Sequence, residues 1–426
     1  MTLEASAIQT EPAAAPSGLY KQWLARTPRG QFWFYFIAAT FFGFGLSVYF
    51  FLFNIYLLGF GHTERSLGLI GSFMAAGSIG GTIPAGVLAE RVGLRWTLTG
   101  GLLLSLIFLA LRVFIVALPA HLVLAVLVGM TICSLGVCLS PLIAGLTTEE
   151  QRPFGFGLIF AWGVCTNGLG GFVASRLPGL LRTLPLPTPL SPSSAKAYTL
   201  LFGCGVASLA LLPLSRLRLT RHASPRARLS RPSGRFLPRF LTAMAVWTFV
   251  TGSFAPFANV YFVHHLGLPL ERVGSIFSFS QVVCFLALLG APLLFRHTGL
   301  TSGIMLTQFA TAASLAALAG VHSATQAAWV YWAYIAFQSM NEPGIYSLLM
   351  KRSPEHERNS ASAFTFFVSA GAQAMASLAV GAAIVRFGYS AMLGVIAGLA
   401  AVAAILFWRL TNVPDYASAH PRIPSA

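Results

Sequence analysis

The sequence predicts an all-α membrane protein with twelve transmembrane helices in two pseudo-symmetric six-helix bundles. Hydrophobic side chains make up 56% of the 426 residues, which is more apolar surface than a soluble fold of this size buries. The apolar residues fall into twelve runs, each about the 20 residues needed to cross a hydrocarbon core roughly 30 Å thick. The two halves of the chain also share matching residues in the same order.

Each predicted span is a helix, because in lipid a backbone polar group has to find its hydrogen-bond partner within its own segment. In chain order, the spans are residues 33–58, 67–89, 96–117, 120–145, 154–177, 197–216, 238–263, 270–295, 301–320, 326–350, 359–385 and 389–409. All five cysteines fall inside these spans, and their scatter indicates buried, inert thiols rather than a disulfide framework or a zinc site.

Basic residues concentrate on one side of this topology. In a soluble protein the net charge of +16 would suggest a nucleic-acid partner, but in a membrane protein the position of each charge along the chain matters more. Most of the 27 Lys and Arg residues lie before the first span or after even-numbered spans. The positive-inside bias predicts a multi-pass protein of the cell (inner) membrane with both termini cytoplasmic. No apolar run precedes the first span, so no cleaved signal peptide is expected there.

One long basic connection divides the chain. The predicted organisation is an N-terminal cytoplasmic tail (1–31), a first bundle (32–216), a basic linker (217–237), a second bundle (238–410) and a C-terminal cytoplasmic tail (411–426). Eight arginines lie between Ser215 and Arg239. We interpret them as a solvated segment resting on anionic lipid headgroups, and a nucleic-acid or protein partner site is the alternative.

The internal repeat gives the fold a mechanical meaning. Asn54 and Tyr56 match Asn259 and Tyr261. Other pairs match in the same order, at offsets between 202 and 207 residues. Two similar bundles around a central cavity can rock to open it to one side and then the other, which is alternating access.

The short loop after the second span reads GVLAERVGLR, from Gly86 to Arg95. It resembles the loop signature of the major facilitator superfamily, G-x-L-a-D-r-x-G-r-[rk], with Glu90 in place of the more frequent aspartate. Taken alone, Gly86 allows a close helix approach and Gly93 allows a tight turn.

The resemblance implies the twelve-helix transporter fold, with the first, fourth, seventh and tenth helices around the cavity. It also implies a cytoplasmic gate, in which Glu90 docks on an adjacent helix and locks that side closed. The residues of this gate are Gly86, Glu90, Arg91, Gly93 and Arg95. The alternative is a solvated turn whose charges only set topology.

Glu342 is the candidate for proton coupling. It lies inside the tenth span, where a charged residue costs about 2.5 to 3.5 kcal/mol on insertion scales. Tyr334, Gln338, Glu342 and Tyr346 recur every four residues, Asn341 borders them, and we interpret them as one polar stripe facing the substrate path. The carboxyl group could carry a proton or pair with a cationic substrate; neutralisation by a partner arginine and a structural role are the alternatives.

Other polar residues are weaker candidates for the substrate cavity. Asn54, Tyr56, Asn259 and Tyr261, near the outer ends of the first and seventh helices, could contact substrate or form an outer gate. Aromatic-belt or capping roles are the alternative. The mid-span candidates, which could equally join helices, are Asn167, Gln281 and Gln373. Arg112 lies near the outer end of its span, and we interpret it as a snorkelling side chain.

These observations predict a secondary active transporter of a small organic solute, working by alternating access and driven by protons. A non-transporting receptor or scaffold and an uncoupled facilitator are the alternatives. The sequence has neither a G-x-x-x-x-G-K-[ST] loop nor an H-E-x-x-H motif, so we expect no enzyme activity, cofactor or metal. We expect a monomer whose partners are its substrate, protons and the bilayer.

Overall fold

The computed structural model describes residues 28, 30–148, 151–185, 189–218, 236–353 and 358–409. Nearly all of these residues are helical. The C-terminal tail, and most of the N-terminal tail and of the basic linker predicted above, lie outside the described residues.

The first half contains six long helices. They are α1 (Phe32–Leu58), α2 (Glu64–Arg91), α3 (Leu94–Phe114), α4 (Leu118–Leu146), α5 (Arg152–Thr183) and α6 (Pro192–Arg216), the last made of the helices Pro192–Ser208 and Leu211–Arg216. The largest difference from the predicted bounds is at α5, which continues to Thr183 instead of ending at residue 177.

The second half begins with an irregular helix, α7 (Phe236–His265). Its α-helical part ends at Phe254 and is followed by a 3-10 turn, one α-helical turn and a π-helical turn. Pro256 lies in the 3-10 turn, and it interrupts the helix because it has no N–H to donate. The regular helices that follow are α8 (Leu270–Thr298), α9 (Leu300–Gly320) and α10 (Ala324–Arg352).

The last helical run, Arg358–Arg409, is two helices. Gly388 has φ 78° and ψ 172° inside it, so the run divides into α11 (358–387) and α12 (389–409). By length and apolar composition, ten helices qualify as membrane spans. One of them, Phe364–Arg409, is a single stretch that includes parts of both α11 and α12. The helix outside that set is α10, which is equally long but carries Gln338, Asn341 and Glu342. The described residues therefore form the twelve membrane-length helices that the sequence predicts.

The interface between the bundles follows the sequence repeat. Helix α2 packs on α11, and α5 packs on α8. Ser72 Oγ donates to the carbonyl of Ala374 at 2.8 Å, and Ser278 Oγ donates to that of Gly168 at 2.9 Å. Both donors and both acceptors are 206 residues apart, so the two bonds are related by the same pseudo-twofold axis. The predicted pseudo-symmetry is confirmed.

We name the two ends of the molecule by their turns. The linker face carries the α2–α3 turn at Gly93 and the α8–α9 turn at Gly299, and residues 218 and 236 flank the basic linker there. The distal face carries the α1–α2, α7–α8 and α11–α12 turns.

The bundles meet in their distal halves. A Cβ placed on Gly381 of α11 would lie 2.5 Å from the backbone oxygen of Glu64, so only glycine allows this approach. Among the described residues, every side-chain hydrogen bond between the bundles also lies in the distal half. The described contacts between the bundles are therefore concentrated in the distal half, away from the linker face.

Candidate functional site

A central cavity of about 910 Å³ lies between the bundles. It is large enough for a metabolite-sized or drug-sized solute. Its aromatic lining consists of Phe42, Phe50, Phe51, Phe53, Phe257, Phe277, Phe366 and Tyr346. The wall is therefore mostly apolar, and it suits a solute with an apolar or aromatic body.

A small number of polar side chains interrupt this wall. Five of the predicted candidates line the cavity together with Tyr346, namely Asn54, Asn167, Asn259, Gln281 and Gln373. Serines and a threonine from α1, α2, α7 and α11 add hydroxyl groups. Such a lining can orient a solute by a few directional contacts while apolar surface supplies most of the binding free energy.

Glu342 lines a smaller pocket of about 180 Å³ beside the cavity. The pocket and the cavity share Thr248, Tyr346, Ser369 and Gln373, so the pocket is a side chamber of the cavity. The Glu342 side chain is exposed. It makes no hydrogen bond or ion pair with any residue that the structure describes.

The predicted stripe on α10 divides between two environments. Gln338, Glu342 and Tyr346 line the side chamber, whereas Tyr334 and Asn341 are fully buried and line neither space. A helix turns about 100° per residue, so positions four apart drift by about 40°. Tyr334 is consequently about 120° from Tyr346, which directs it into the second bundle.

The buried part of this stripe packs within the second bundle. Tyr334 lies against Phe254, with ring centroids 5.7 Å apart. Asn341 donates to Thr307 Oγ1 and to the carbonyl of Ile304, both on α9. Both side chains hold helices of one bundle together, and neither reaches a solute in the cavity.

Asn54 and Asn259 exchange hydrogen bonds between the bundles. Asn54 Nδ2 donates to the carbonyl of Pro256 at 2.9 Å, and Asn259 Nδ2 donates to the carbonyl of Phe51 at 2.7 Å. Both donors and both acceptors are 205 residues apart, so the pair is pseudo-symmetric. We call this pair of bonds the asparagine clasp. It joins α1 to α7 in the distal half of the cavity.

The matching tyrosines have a different role. Tyr56 donates to the carbonyl of Val113 at 2.7 Å, and Tyr261 donates to that of Leu318 at 3.2 Å. Each bond stays within one bundle, because a tyrosine two positions after an asparagine points about 200° away on the helix. Tyr56 and Tyr261 line neither the cavity nor the side chamber.

The predicted gate residues lie at the linker face. Gly93 has φ 98°, and Gly299 of the second half has φ 83°, so each turn needs the conformational freedom of glycine. Glu90 and Arg91 are exposed, and Glu90 makes no ion pair with a described residue. Arg95 donates to the carbonyl of Leu217 at 3.2 Å, which ties this turn to the end of α6.

Gly86 does not serve helix packing in this conformation. A Cβ placed on it would meet no heavy atom within 4 Å. The close approach expected from the sequence is therefore absent in this conformation.

Arg112 is a candidate site residue that sequence reasoning missed. The interpretation as a snorkelling side chain is wrong, because Arg112 is only 1% exposed and lines the central cavity. Its guanidinium carbon lies 4.1 Å from the centroid of the Phe53 ring. Nε and Nη2 have no hydrogen-bond partner among the described residues.

The internal repeat contains a signal that distinguishes Arg112. Val113 and Leu318 accept equivalent hydrogen bonds, so the position equivalent to Arg112 is Ala317. The scaffold bonds described above occur in both halves, whereas this cation occurs in one. Arg112 therefore has no counterpart in the scaffold of the second half.

The family model for the Major Facilitator Superfamily matches residues 35–377, which is most of the chain. The chain belongs to the Major Facilitator Superfamily. It is therefore a multi-pass membrane protein of a transporter family. No curated protein matches the chain by sequence.

Solved structures of transporters share this fold. A point mutant of the nucleoside transporter NupG has a TM-score of 0.76 at 14% identity, over 89% of this chain and 100% of that one. A bacterial homologue of the human lysosomal transporter Spinster, inward-facing and occupied, has a TM-score of 0.74 at 13% identity, over 94% and 98%. A D-xylose-proton symporter has 0.69 at 15%, over 90% and 97%.

This superfamily member departs from the expected set of cavity helices. Helices α1, α7 and α10 line the cavity as the resemblance implied, but no described side chain of α4 does. The reason is the close packing of α4 on α2, where a Cβ on Gly129 would lie 2.0 Å from the carbonyl oxygen of Met74. Met74, Ala75 and Ser78 of α2 take the place of α4 in the wall.

Proposed function

We propose that the protein is a secondary active transporter that moves a small organic solute by alternating access and couples this movement to protons. The observation that carries the proposal is the cavity between two pseudo-symmetric bundles, which is closed on the distal side and open toward the linker face. A receptor or scaffold has no need for a solute-sized space that can change sides. The cavity therefore favours transport.

We further propose that the linker face is cytoplasmic in a cell (inner) membrane. The support is the excess of Lys and Arg in the loops of that side. On this assignment, the structure corresponds to an inward-open state. The asparagine clasp and the bonds of Ser72 and Ser278 then close the outer side.

Glu342 is the proposed proton carrier. A carboxyl group at this depth is costly to keep ionised, and no described cation pairs with it. The side chamber joins it to the cavity, so a proton can reach it from the open side. Protonation and solute binding are then adjacent events that can favour the same change of conformation.

The coupling claim is tested by solute uptake into proteoliposomes. Candidate solutes are first identified by the rise in unfolding temperature that a ligand binding only the folded state produces. We expect the wild type to concentrate such a solute under an imposed pH gradient and Glu342→Gln only to equilibrate it. Glu271→Gln, the same chemical change at an exposed acid that lines neither space, is the matched control and should keep gradient-driven accumulation. Equal accumulation by the wild type and Glu342→Gln would remove Glu342 from the coupling mechanism.

The linker-face gate operates in the opposite state. We propose that the Glu90 side chain, which is free in the open state, docks on a neighbouring helix when the linker face closes. Glu90→Ala should then increase the cytoplasmic accessibility of a cysteine placed at Ser78, on the linker side of the cavity. Unchanged labelling in this variant, against a clear response to solute in the wild type, would leave Glu90 with a topological role only.

A further inference from the structure

We infer that Arg112 is the counter-charge for an anionic solute, and that the cavity takes an organic monoanion with an apolar body, such as an aromatic monocarboxylate. This inference names a substrate class for the proposed transport function and rests on it. It starts from the cost of leaving a buried charge without a partner.

The guanidinium of Arg112 is not neutralised by the protein. Arg112 makes no ion pair among the described residues, and two of its nitrogens are buried without hydrogen-bond partners. Its contact with the Phe53 ring is a weak attraction compared with the cost of burying an ion without a counter-charge. The solute-free site is therefore short of one negative charge.

The surroundings of Arg112 hold it in place without satisfying it. Phe53 stacks on Tyr49, with ring centroids 5.1 Å apart, and the Tyr49 hydroxyl donates to the carbonyl of Leu109 on the helix of Arg112. The Tyr49 hydroxyl is thus committed to the backbone. Arg112 lines the cavity but is only 1% exposed, so a bound solute would meet the guanidinium at the cavity wall.

The lining of the cavity also indicates the net charge of the solute and the chemical character of the rest of its body. Arg112 is the one charged side chain among the described residues that line the central cavity itself, and Glu342 lies in the side chamber. With Glu342 protonated, as in the proposed coupling, the site matches a single negative charge. Phenylalanine and aliphatic side chains form most of the remaining wall, and they offer apolar contact to the body of the solute. An anion with an apolar body satisfies both features, whereas a small inorganic anion would leave the aromatic wall unused.

The site is tested by binding to the purified full-length protein in nanodiscs, without any gradient. The probes are 3-phenylpropionate, its uncharged amide 3-phenylpropionamide, and inorganic phosphate. The acid should raise the unfolding temperature of the wild type, and the amide should not. In Arg112→Met the affinity for the acid should fall about tenfold to a hundredfold, the usual loss when a hydrogen-bonded charge partner is removed.

Two further variants make the test specific. Arg386→Met is the matched control, because Arg386 is exposed at the distal face and stacks on Phe387 at 5.2 Å but does not line the cavity. It should bind the acid like the wild type. Arg112→Lys keeps the charge and should retain part of the affinity.

A second readout needs no ligand. Because Arg112 is unpaired, Arg112→Met should raise the unfolding temperature of the solute-free protein by about 2 °C or more. An arginine that holds the fold together would lower it instead, and that result would overturn the inference.

The remaining outcomes are equally decisive. Equal stabilisation by the acid and the amide, or no stabilisation by the acid, would overturn the anion site, as would full acid binding in Arg112→Met. Stabilisation by phosphate equal to that by the acid would overturn the requirement for an apolar body. Since binding is measured without transport, failure of Glu342→Gln to alter proton coupling would leave the anion site standing.

Discussion

The asparagine clasp yields the most specific prediction about conformational change. The perturbation is the double substitution Asn54→Ala with Asn259→Ala, which removes both side-chain bonds between α1 and α7. Each bond contributes about 0.5 to 1.5 kcal/mol net. Because both exist only while the distal halves touch, the distally closed state should lose about 1 to 3 kcal/mol relative to the distally open state, a shift of about 5- to 150-fold in their ratio.

The assay measures access to the cavity from the distal face. A single cysteine at Phe50, a cavity-lining position, is labelled by a membrane-impermeant maleimide applied on that side. The native cysteines are replaced by serine or alanine. We expect the labelling rate to rise in the clasp variant, in proportion to the population of the distally open state.

The matched control is Tyr56→Phe with Tyr261→Phe. These hydroxyls donate from the same two helices, but each bond stays within one bundle. The control should lower stability by about 1 to 3 kcal/mol and leave the labelling rate unchanged. Equal labelling of the clasp variant and the wild type, or an equal increase in the tyrosine control, would refute the reasoning.

Three further predictions concern the scaffold. Gly93→Ala should destabilise the protein by about 1 to 3 kcal/mol, because Gly93 has a positive φ. Gly86→Ala, where a Cβ would meet open space, should be neutral or stabilising. Thermal unfolding compares the two variants, and equal effects would contradict this account of the turn. Gly381→Ala should increase distal labelling, because its Cβ would lie 2.5 Å from the Glu64 oxygen; an unchanged rate would show that the helices adjust without opening. Tyr334→Phe removes a buried hydroxyl that has no partner among the described residues and should not lower stability, so a loss above about 1 kcal/mol would indicate a missing partner.

The fold was accessible from the sequence because the bilayer imposes its thickness on every span. A helix lies at each of the twelve predicted positions, and the predicted ends differ from the observed ones by a few residues. The repeat was also readable, since Asn54 with Tyr56 and Asn259 with Tyr261 stand at one offset. The bonds of these residues preserve that offset in three dimensions.

The hydrogen-bond partners of these residues could not be predicted from the sequence. Which neighbour a side chain meets depends on how each helix is rotated about its own axis within the bundle. Asn54 and Tyr56 are two positions apart and serve different interfaces. The regular spacing on α10 similarly suggested one polar stripe, but the drift of about 40° per four residues turns Tyr334 away from Glu342. The sequence period identifies a face only over about two turns.

Arg112 escaped prediction for a related reason. Its position near the end of a span is compatible with snorkelling to the surface as well as with pointing inward. Only the packing of α3 against Phe53 of α1 decides between these orientations. Comparison of the two halves would have helped. Ala317 occupies the equivalent position in the second half, so the scaffold that the two halves share does not require a charge there.

The central claim is that solute crosses by alternate opening of the cavity, and a reversible lock of the distal face tests it most directly. Ser72 and Ala374 are joined across the bundles by a hydrogen bond, so Ser72→Cys with Ala374→Cys should form a disulfide that holds the distal halves together. We predict that oxidation abolishes solute flux in proteoliposomes, preserves solute binding from the linker face, and is reversed by dithiothreitol, while each single-cysteine variant keeps its flux. Undiminished flux through the fully cross-linked protein would contradict alternating access.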